Sequence, residues 1–382
     1  MVEHKLMSYY NFFDTYLVEV RGDEGRSVNQ HHRMYDHFLE TSPDREPDLV
    51  IEMTTQKPDP DTVLGTPKSY YGREGDRFVV RKGSNYMSVN ADWSHMWVSP
   101  NWEPFNVVYP LEYELRKRFV DDGYALVHAS GVQWNGSTFI FPAWRSAGKT
   151  NTLLSLLGSG GDYLADDRLW VNADGSVRGY PLGVNMQPHN LESFGHVTER
   201  DEDEKQTFKQ RVAGFVDKHA DQTRSTLDEG AIFLTKRFLT ESGRTFTSLS
   251  EVLPGSKFVD SADADGVVVL RAAPTQDTIS IDEITSDDAL TETVTISDYE
   301  WNGLLREYFY AFDTLFPEFD KTTEFESVLE AERRIFADLF STVPTYRAFV
   351  PRTRDWVETG IADDLRSSLS ELNPPLEATP SR

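Results

Sequence analysis

The stretch from His128 to Arg168 constrains this chain more than any other. Tyr124 to Val132 reads as a strand, and Asn135-Gly136 follows it between two β runs. That dipeptide suits a tight hairpin, because both turn positions need positive φ. Thr138-Phe139-Ile140-Phe141 is a short apolar strand that runs into Ala143-Trp144-Arg145-Ser146-Ala147-Gly148-Lys149-Thr150. Leu153, Leu154 and Leu157 then recur at helical spacing, and Gly158-Ser159-Gly160-Gly161 ends the helix. Tyr163-Leu164-Ala165 forms the next strand, with Asp166-Asp167-Arg168 at its end. Strand, hairpin, loop, helix and acid-tipped strand in this order form the local plan of a triphosphate site.

The residue types fit that chemistry. In a loop of this kind successive backbone N–H groups cradle phosphates, helped by the positive end of the following helix. Lys149 would reach the β- and γ-phosphates, the Thr150 hydroxyl would ligate magnesium, and Gly148 leaves room for close backbone approach. The expected nucleotide-binding set is therefore Ala143, Trp144, Arg145, Ser146, Ala147, Gly148, Lys149, Thr150 and Asn151, with ATP and Mg as the ligands. Ala143 replaces the first glycine of the pattern. If that position requires φ > 0, alanine there costs roughly 1 kcal/mol or more. Arg145 is either a further phosphate contact or a solvated loop cation.

Asp166 and Asp167 supply the acid groups such a site needs. One carboxylate holds the metal and the other takes a proton from an attacking hydroxyl. Neighbouring residues at a strand end point in alternate directions, which favours split roles. Asp166 with Thr150 at the metal and Asp167 as the base is the preferred assignment; the reverse also satisfies the pattern. An acid pair that merely caps a turn is the plain structural alternative. His128 lies one strand upstream, either as a polar group of the site or as a structural histidine. His189 and His196 lack the spacing of metal ligands.

Charge narrows the choice of partners. The chain of 382 residues has 38 basic and 63 acidic side chains, a formal charge of −25. The acids are spread along the sequence and Arg outnumbers Lys, a composition of the kind found in proteins adapted to high salt. So acidic a surface argues against nucleic acid as a partner. With no cysteine, disulfides, thiolate metal sites and cysteine nucleophiles are all excluded. The segment Met1 to Phe13 has no apolar core of a signal peptide, and no apolar run is long enough to span a bilayer. The expectation is a cytoplasmic protein away from membranes; a homo-oligomer is compatible with the sequence.

Residues 1–110 read as a β-rich N-terminal domain, with Tyr16–Val20, Leu49–Met53, Arg77–Arg81 and Tyr86–Val89 as strands. Trp93, Trp97 and Trp102 are expected in its core. Residues 111–300 read as the phosphate-loop domain. It opens with a helix after Pro110 that carries Leu111, Leu115 and Phe119, and Asp121-Asp122-Gly123 stops that helix. Within this domain residues 198–228, with the charge run Glu199 to Lys205, are a solvated loop or a lid, and Ala231–Leu234 and Gly266–Leu270 are strands. Residues 301–372 read as a helical C-terminal segment with two apolar stripes, Leu304 to Phe316 and Phe325 to Phe340. Residues 373–382 read as a flexible tail.

The order LVHASGV, WNG, FIFPAWRSAGKTNTLLSLL, YLADDRLWV and GYPLG resembles the C-terminal kinase domain of HPr serine kinase/phosphorylase and its relatives. The resemblance covers roughly residues 110–190. It implies an α/β P-loop kinase domain of the HPr kinase and phosphoenolpyruvate carboxykinase type. It also implies phosphorylation of a protein serine, with Gly148, Lys149 and Thr150 on phosphate and magnesium. Asp166 and Asp167 would be the catalytic acid pair, and His128 the active-site histidine. The sequence departs from the family at Ala143, which replaces glycine, and at Asn151, which replaces an acid. The Glu-x-Arg-Gly-Leu-Gly segment of the bifunctional enzymes is absent. The sequence thus leads to an ATP-dependent phosphotransferase acting on a protein serine or a small alcohol, with catalysis assigned to Asp167, Asp166, His128 and Lys149. A nucleotide-binding module without catalysis, acting through partner binding, is the alternative; a partner-binding protein with a vestigial loop is a third.

Overall fold

The computed structural model describes residues 6–22, 26–102, 104–182, 184–186, 245–247, 257–353 and 355–372. The expectations for His189, His196, the 198–228 loop, the 231–234 strand and the 373–382 tail lie outside these residues. The fold is mixed α/β with several sheets and a helical C-terminal region. No described helix is long and apolar enough to cross a membrane.

Packing divides the chain into two units, and the division does not follow breaks at 110 and 300. The first takes residues 1–127, 170–175 and 286–342; the second takes 128–169, 176–285 and 343–382.

The first unit begins with β1 (Leu6–Phe12), β2 (Tyr16–Gly22), α1 (Arg26–Tyr35), β3 (Leu39–Glu40), β4 (Leu49–Met53) and β5 (Thr62–Thr66). It continues through β6 (Ser69–Glu74), β7 (Arg77–Lys82), β8 (Asn85–Asn90), β9 (His95–Val98), α2 (Pro104–Asp121) and β10 (Tyr124–Val127). Strands β1 to β9 form one described nine-stranded sheet in the order β3-β1-β2-β4-β9-β8-β7-β6-β5. From β5 to β9 it is an antiparallel meander, while β4 joins β2 and β9 in parallel. Leu111, Leu115 and Phe119 are buried as their spacing implies, and Gly123, at φ +80, follows the helix end. The helix starts earlier than expected. Pro104 occupies its first position, where proline lacks no needed N–H, and Pro110 lies inside it. Trp93 and Trp102 are buried; Trp97 is only half-buried, stacked between His95 at 4.1 Å and the Arg77 guanidinium at 3.9 Å.

In the second unit the chain runs through β11 (Ala129–Trp134), β12 (Ser137–Pro142), α3 (Lys149–Gly158) and β13 (Asp162–Ala165). Beyond β14 (Leu169–Asn172) come β15 (Ser176–Arg178), β16 (Val184–Met186), β17 (Thr245–Thr247), β18 (Ser261–Asp263), β19 (Gly266–Ala273) and β20 (Ser280–Glu283). The C-terminal region of the first unit holds α4 (Ser286–Ser297), a π-helical turn (Asp298–Asn302), α5 (Gly303–Leu315) and α6 (Lys321–Thr342). The chain then returns to the second unit with β21 (Thr345–Pro351) and α7 (Ile361–Leu372).

Two expectations change here. Tyr124 to Val132 is not one strand: it breaks at His128 into β10 and β11. The C-terminal region also contains β21, which pairs with β19 in parallel over seven residues, Val267↔Thr345 to Ala273↔Pro351. The apolar stripes pack as expected. Trp93 stacks on Phe309 at 5.6 Å and Phe78 meets Phe312 at 5.3 Å, which fixes α5 to the first unit's sheet. The same core contains a charge pair. Arg116 donates through Nε to Glu332 Oε1 at 2.8 Å and through a terminal nitrogen to Asn302 Oδ1 at 2.9 Å, with both charged side chains almost fully buried.

The second unit's main sheet has the order β13-β11-β12-β19-β21-β20. Asn135 at φ +52 and Gly136 at φ +82 make the tight turn between β11 and β12, with Trp134 opposite Ser137. Buried Leu153, Leu154, Leu156 and Leu157 of α3 share a core with Phe141, Leu270, Val350, Trp356 and Leu365.

Candidate phosphate-loop site

Sheet register gathers the site. β11 and β12 are antiparallel, with Ala129 opposite Pro142, so His128 and Ala143 lie at one end of the sheet. β13 is antiparallel to β11, with Gly131 opposite Ala165, which brings Asp166 and Asp167 to that same end. The register skips Leu164, because Gly131 pairs with Ala165 and Val132 with Tyr163. Such a bulge re-aims the strand end. It requires a small residue at 131, where a Cβ would lie 3.0 Å from Leu169 and 3.2 Å from Leu164.

The loop itself is built differently from the expectation about Ala143. Ala143 is fully buried, bridges Leu270 in parallel and has no positive φ, so alanine carries no left-handed cost there. The left-handed positions are Ser146 at φ +61 and Gly148 at φ +99. Ala147 N–H closes a turn on the Trp144 carbonyl at 3.1 Å, and the Gly148 carbonyl accepts from Thr152 N–H at 2.8 Å to start α3. The first turn of α3 has no acidic residue, and Gly148 has no side chain to cap it. The positive end of the helix dipole is therefore not offset from its own first turn. Trp144, Arg145 and Ser146 are exposed, Thr150 is half-buried, and Ala147 and Asn151 are buried.

Four charged or polar side chains converge beside the loop. Lys149 Nζ lies 2.9 Å from Asp167 Oδ1 and 2.9 Å from His128 Nε2. Since an ammonium only donates, Nε2 of His128 accepts and the ring proton sits on Nδ1, which lies 3.7 Å from Asp167 Oδ1. Arg168, 1% exposed, places a terminal nitrogen 3.6 Å from Asp167 Oδ2. Burial pushes the Asp167 carboxyl up, but Lys149, His128 and Arg168 outweigh it and hold the group well below the usual carboxylate range. Asp166 beside it is buried at 3% exposure.

The structure thus brings His128, Lys149 and Asp167 into one cluster, with Asp166 next in the chain and Thr150 one residue past Lys149. Among the described residues no group of three or more His, Asp or Glu side chains is placed to hold a metal ion. Two contributors escaped the sequence reading. Arg168 was visible only as the residue after the acid pair. Trp356 gave no local signal at all, yet it packs on Gly148 from more than two hundred residues away. Neither a search of protein-family models nor one of curated proteins finds a match for this chain.

Proposed function

We propose that the second unit is a P-loop kinase domain of the HPr kinase type, which transfers the γ-phosphate of ATP to a hydroxyl. The observation that carries this reading is the position of Lys149. It opens α3 directly after a left-handed glycine, and its ammonium meets an acid and a histidine delivered by two neighbouring strands. A buried lysine held by a single carboxylate would be an ordinary ion pair. Here the lysine stands at a helix N-terminus, where phosphate is favoured by both backbone N–H groups and the dipole.

The residues fit a magnesium ion in their chemistry. The Thr150 hydroxyl and the Asp166 carboxylate are hard oxygen donors of the kind that ion takes, usually along with waters and substrate phosphates. When bound, magnesium would neutralise charge on the β- and γ-oxygens. The chain's own groups do the rest. The loop amides and Lys149 hold the phosphates and offset the charge that develops in transfer. The acceptor oxygen forms a bond to the γ-phosphorus as the bond to the bridging oxygen breaks, and ADP leaves. Asp167, ionised beside the Lys149 ammonium and the Arg168 guanidinium, receives the acceptor's proton. Transfer of Lys149 from Asp167 to the phosphates removes one of those cations and raises the carboxylate's affinity for that proton. The acceptor is a protein serine or a small alcohol.

A nucleotide-binding module without transfer is the second reading. It is favoured by Lys149 and Arg168, which make Asp167 a weak base for as long as they remain in place. Calorimetric titration with ATP and magnesium tests the shared part. Saturable binding that is lost in Lys149→Ala supports a nucleotide site, and absence of binding to the unaltered chain ends both readings.

A further inference from the structure

The first unit contains a cleft that the proposed kinase chemistry does not use. Its volume is about 190 Å³, and it lies between the π-helical turn with its flanking helices and one face of α6. Pockets for drug-sized ligands run from roughly 300 Å³ upward, so this one suits a smaller molecule. A π-helical turn is costly and rare, and such turns concentrate at functional sites.

The charges around the cleft do not cancel locally. Glu332 is taken by Arg116, and Glu330 pairs with Arg334 at 3.3 Å. Asp298 and Glu326 share one cation, Arg306, at 3.2 Å and 2.7 Å, which leaves one negative charge over. Two turns beyond Glu326 on α6, Arg333 has no ion-pair partner among the described residues. Ser297 also lines the cleft; it is 4% exposed, and its hydroxyl has no hydrogen-bond partner among the described residues. A buried hydroxyl without a partner is costly, and such a group calls for a ligand atom or a water. Val294, Leu329 and Phe336 supply an apolar wall.

The geometry points to a binding site for a small zwitterion, an aliphatic α-amino acid. Its carboxylate pairs with Arg333 and Ser297, its ammonium with the surplus charge of Asp298 and Glu326, and its side chain lies on Val294, Leu329 and Phe336. The site belongs to a different unit from the phosphate loop and stands independently of the kinase reading.

Calorimetry on the full chain tests this with three probes: L-valine, isobutylamine, which lacks the carboxylate, and 3-methylbutanoate, which lacks the ammonium. L-valine should bind saturably with a Kd of about 1 mM or tighter, and each half-molecule at least about tenfold more weakly. Arg333→Ala, at an exposed position, should weaken L-valine at least about tenfold and leave isobutylamine unchanged. Ser297→Ala should weaken L-valine and 3-methylbutanoate together. Lys149→Ala should bind L-valine like the unaltered chain. The proposal is overturned by no saturable binding of L-valine, by equal binding to Arg333→Ala, by isobutylamine binding as well as L-valine, or by loss of L-valine binding in Lys149→Ala.

Discussion

Gly148 and Trp356 compete for the same space: a Cβ on residue 148 would lie 2.9 Å from Cζ2 of the indole. The loop at residues 143–150 is therefore shaped from two sides. Its backbone demands φ +99 at Gly148, and a buried tryptophan from the far end of the chain sets how closely that backbone packs.

Gly148→Ala should be destabilising on both grounds. The left-handed conformation alone costs an alanine about 1 kcal/mol or more, and the indole contact adds to it. Trp356→Ala should cost about 3–5 kcal/mol as a large-to-small change in a core. The informative experiment is the pair. If contact with the indole is a real part of the glycine requirement, Gly148→Ala should cost less in a Trp356→Leu background than alone. Additive losses in chemical denaturation would leave only backbone strain as the reason for glycine.

Asp167 should leave a mark on acid stability. Its folded pKa lies below the unfolded value, so the native state holds this proton less readily than the unfolded chain. The resulting stabilisation is complete at neutral pH and is lost as the pH falls through about 4, the unfolded value, toward the folded one. Asp167→Asn removes that contribution. Denaturation measured at a series of pH values should show a shallower fall in stability below about pH 4 for the variant than for the unaltered chain. Parallel pH curves would mean that Lys149, His128 and Arg168 do not hold this carboxylate.

The order of elements around the loop was open to sequence reading because each had a local cause. Asn135-Gly136 takes the two positive φ angles of a tight turn, Gly158 to Gly161 end α3, and β12 and β13 are short apolar runs bounded by polar residues. What escaped had causes remote in sequence. β21 follows two helices and reads as their continuation; it is a strand because β19 lies beside it in parallel. Tyr124 to Val127 and Ala129 to Val132 carry no turn signal between them, and the break at His128 separates residues that belong to different packing units. The strain expected at Ala143 was misplaced by position, since the backbone puts its left-handed residues at Ser146 and Gly148. Asp167 and Arg168 follow a strand whose register skips Leu164 opposite Gly131, and no spacing rule announces that bulge.

The Arg116–Glu332 pair should prove costly to break and cheap to replace. Glu332→Gln leaves a buried guanidinium short of its counter-charge, and half of a buried pair typically costs about 3–5 kcal/mol. Asn302 and the Leu126 N–H, which also face this pair, lose their proper partner geometry too. Arg116→Met with Glu332→Leu should be markedly less destabilising than either single change in urea denaturation. A double variant as unstable as the sum of the singles would show that the charges themselves stabilise the fold.

Salt should stabilise this chain. With a net charge of −25, self-repulsion opposes compactness. Raising KCl from about 0.1 M to about 1 M shortens the screening length from ~10 Å to ~3 Å. Tm should rise over that range, and a flat or falling Tm would refute the reading of the acids as a high-salt surface.

The most direct measurement is single-turnover transfer of the γ-phosphate from labelled ATP, followed in the unaltered chain, Lys149→Ala and Asp167→Asn. ADP should form with the unaltered chain, and its rate should drop at least about a hundredfold in each variant, the scale of losing a base or a preorganised charge contact. Equal rates in all three proteins, or no ADP from the unaltered chain with serine peptides, small alcohols or water as acceptor, would contradict a kinase centred on Lys149 and Asp167.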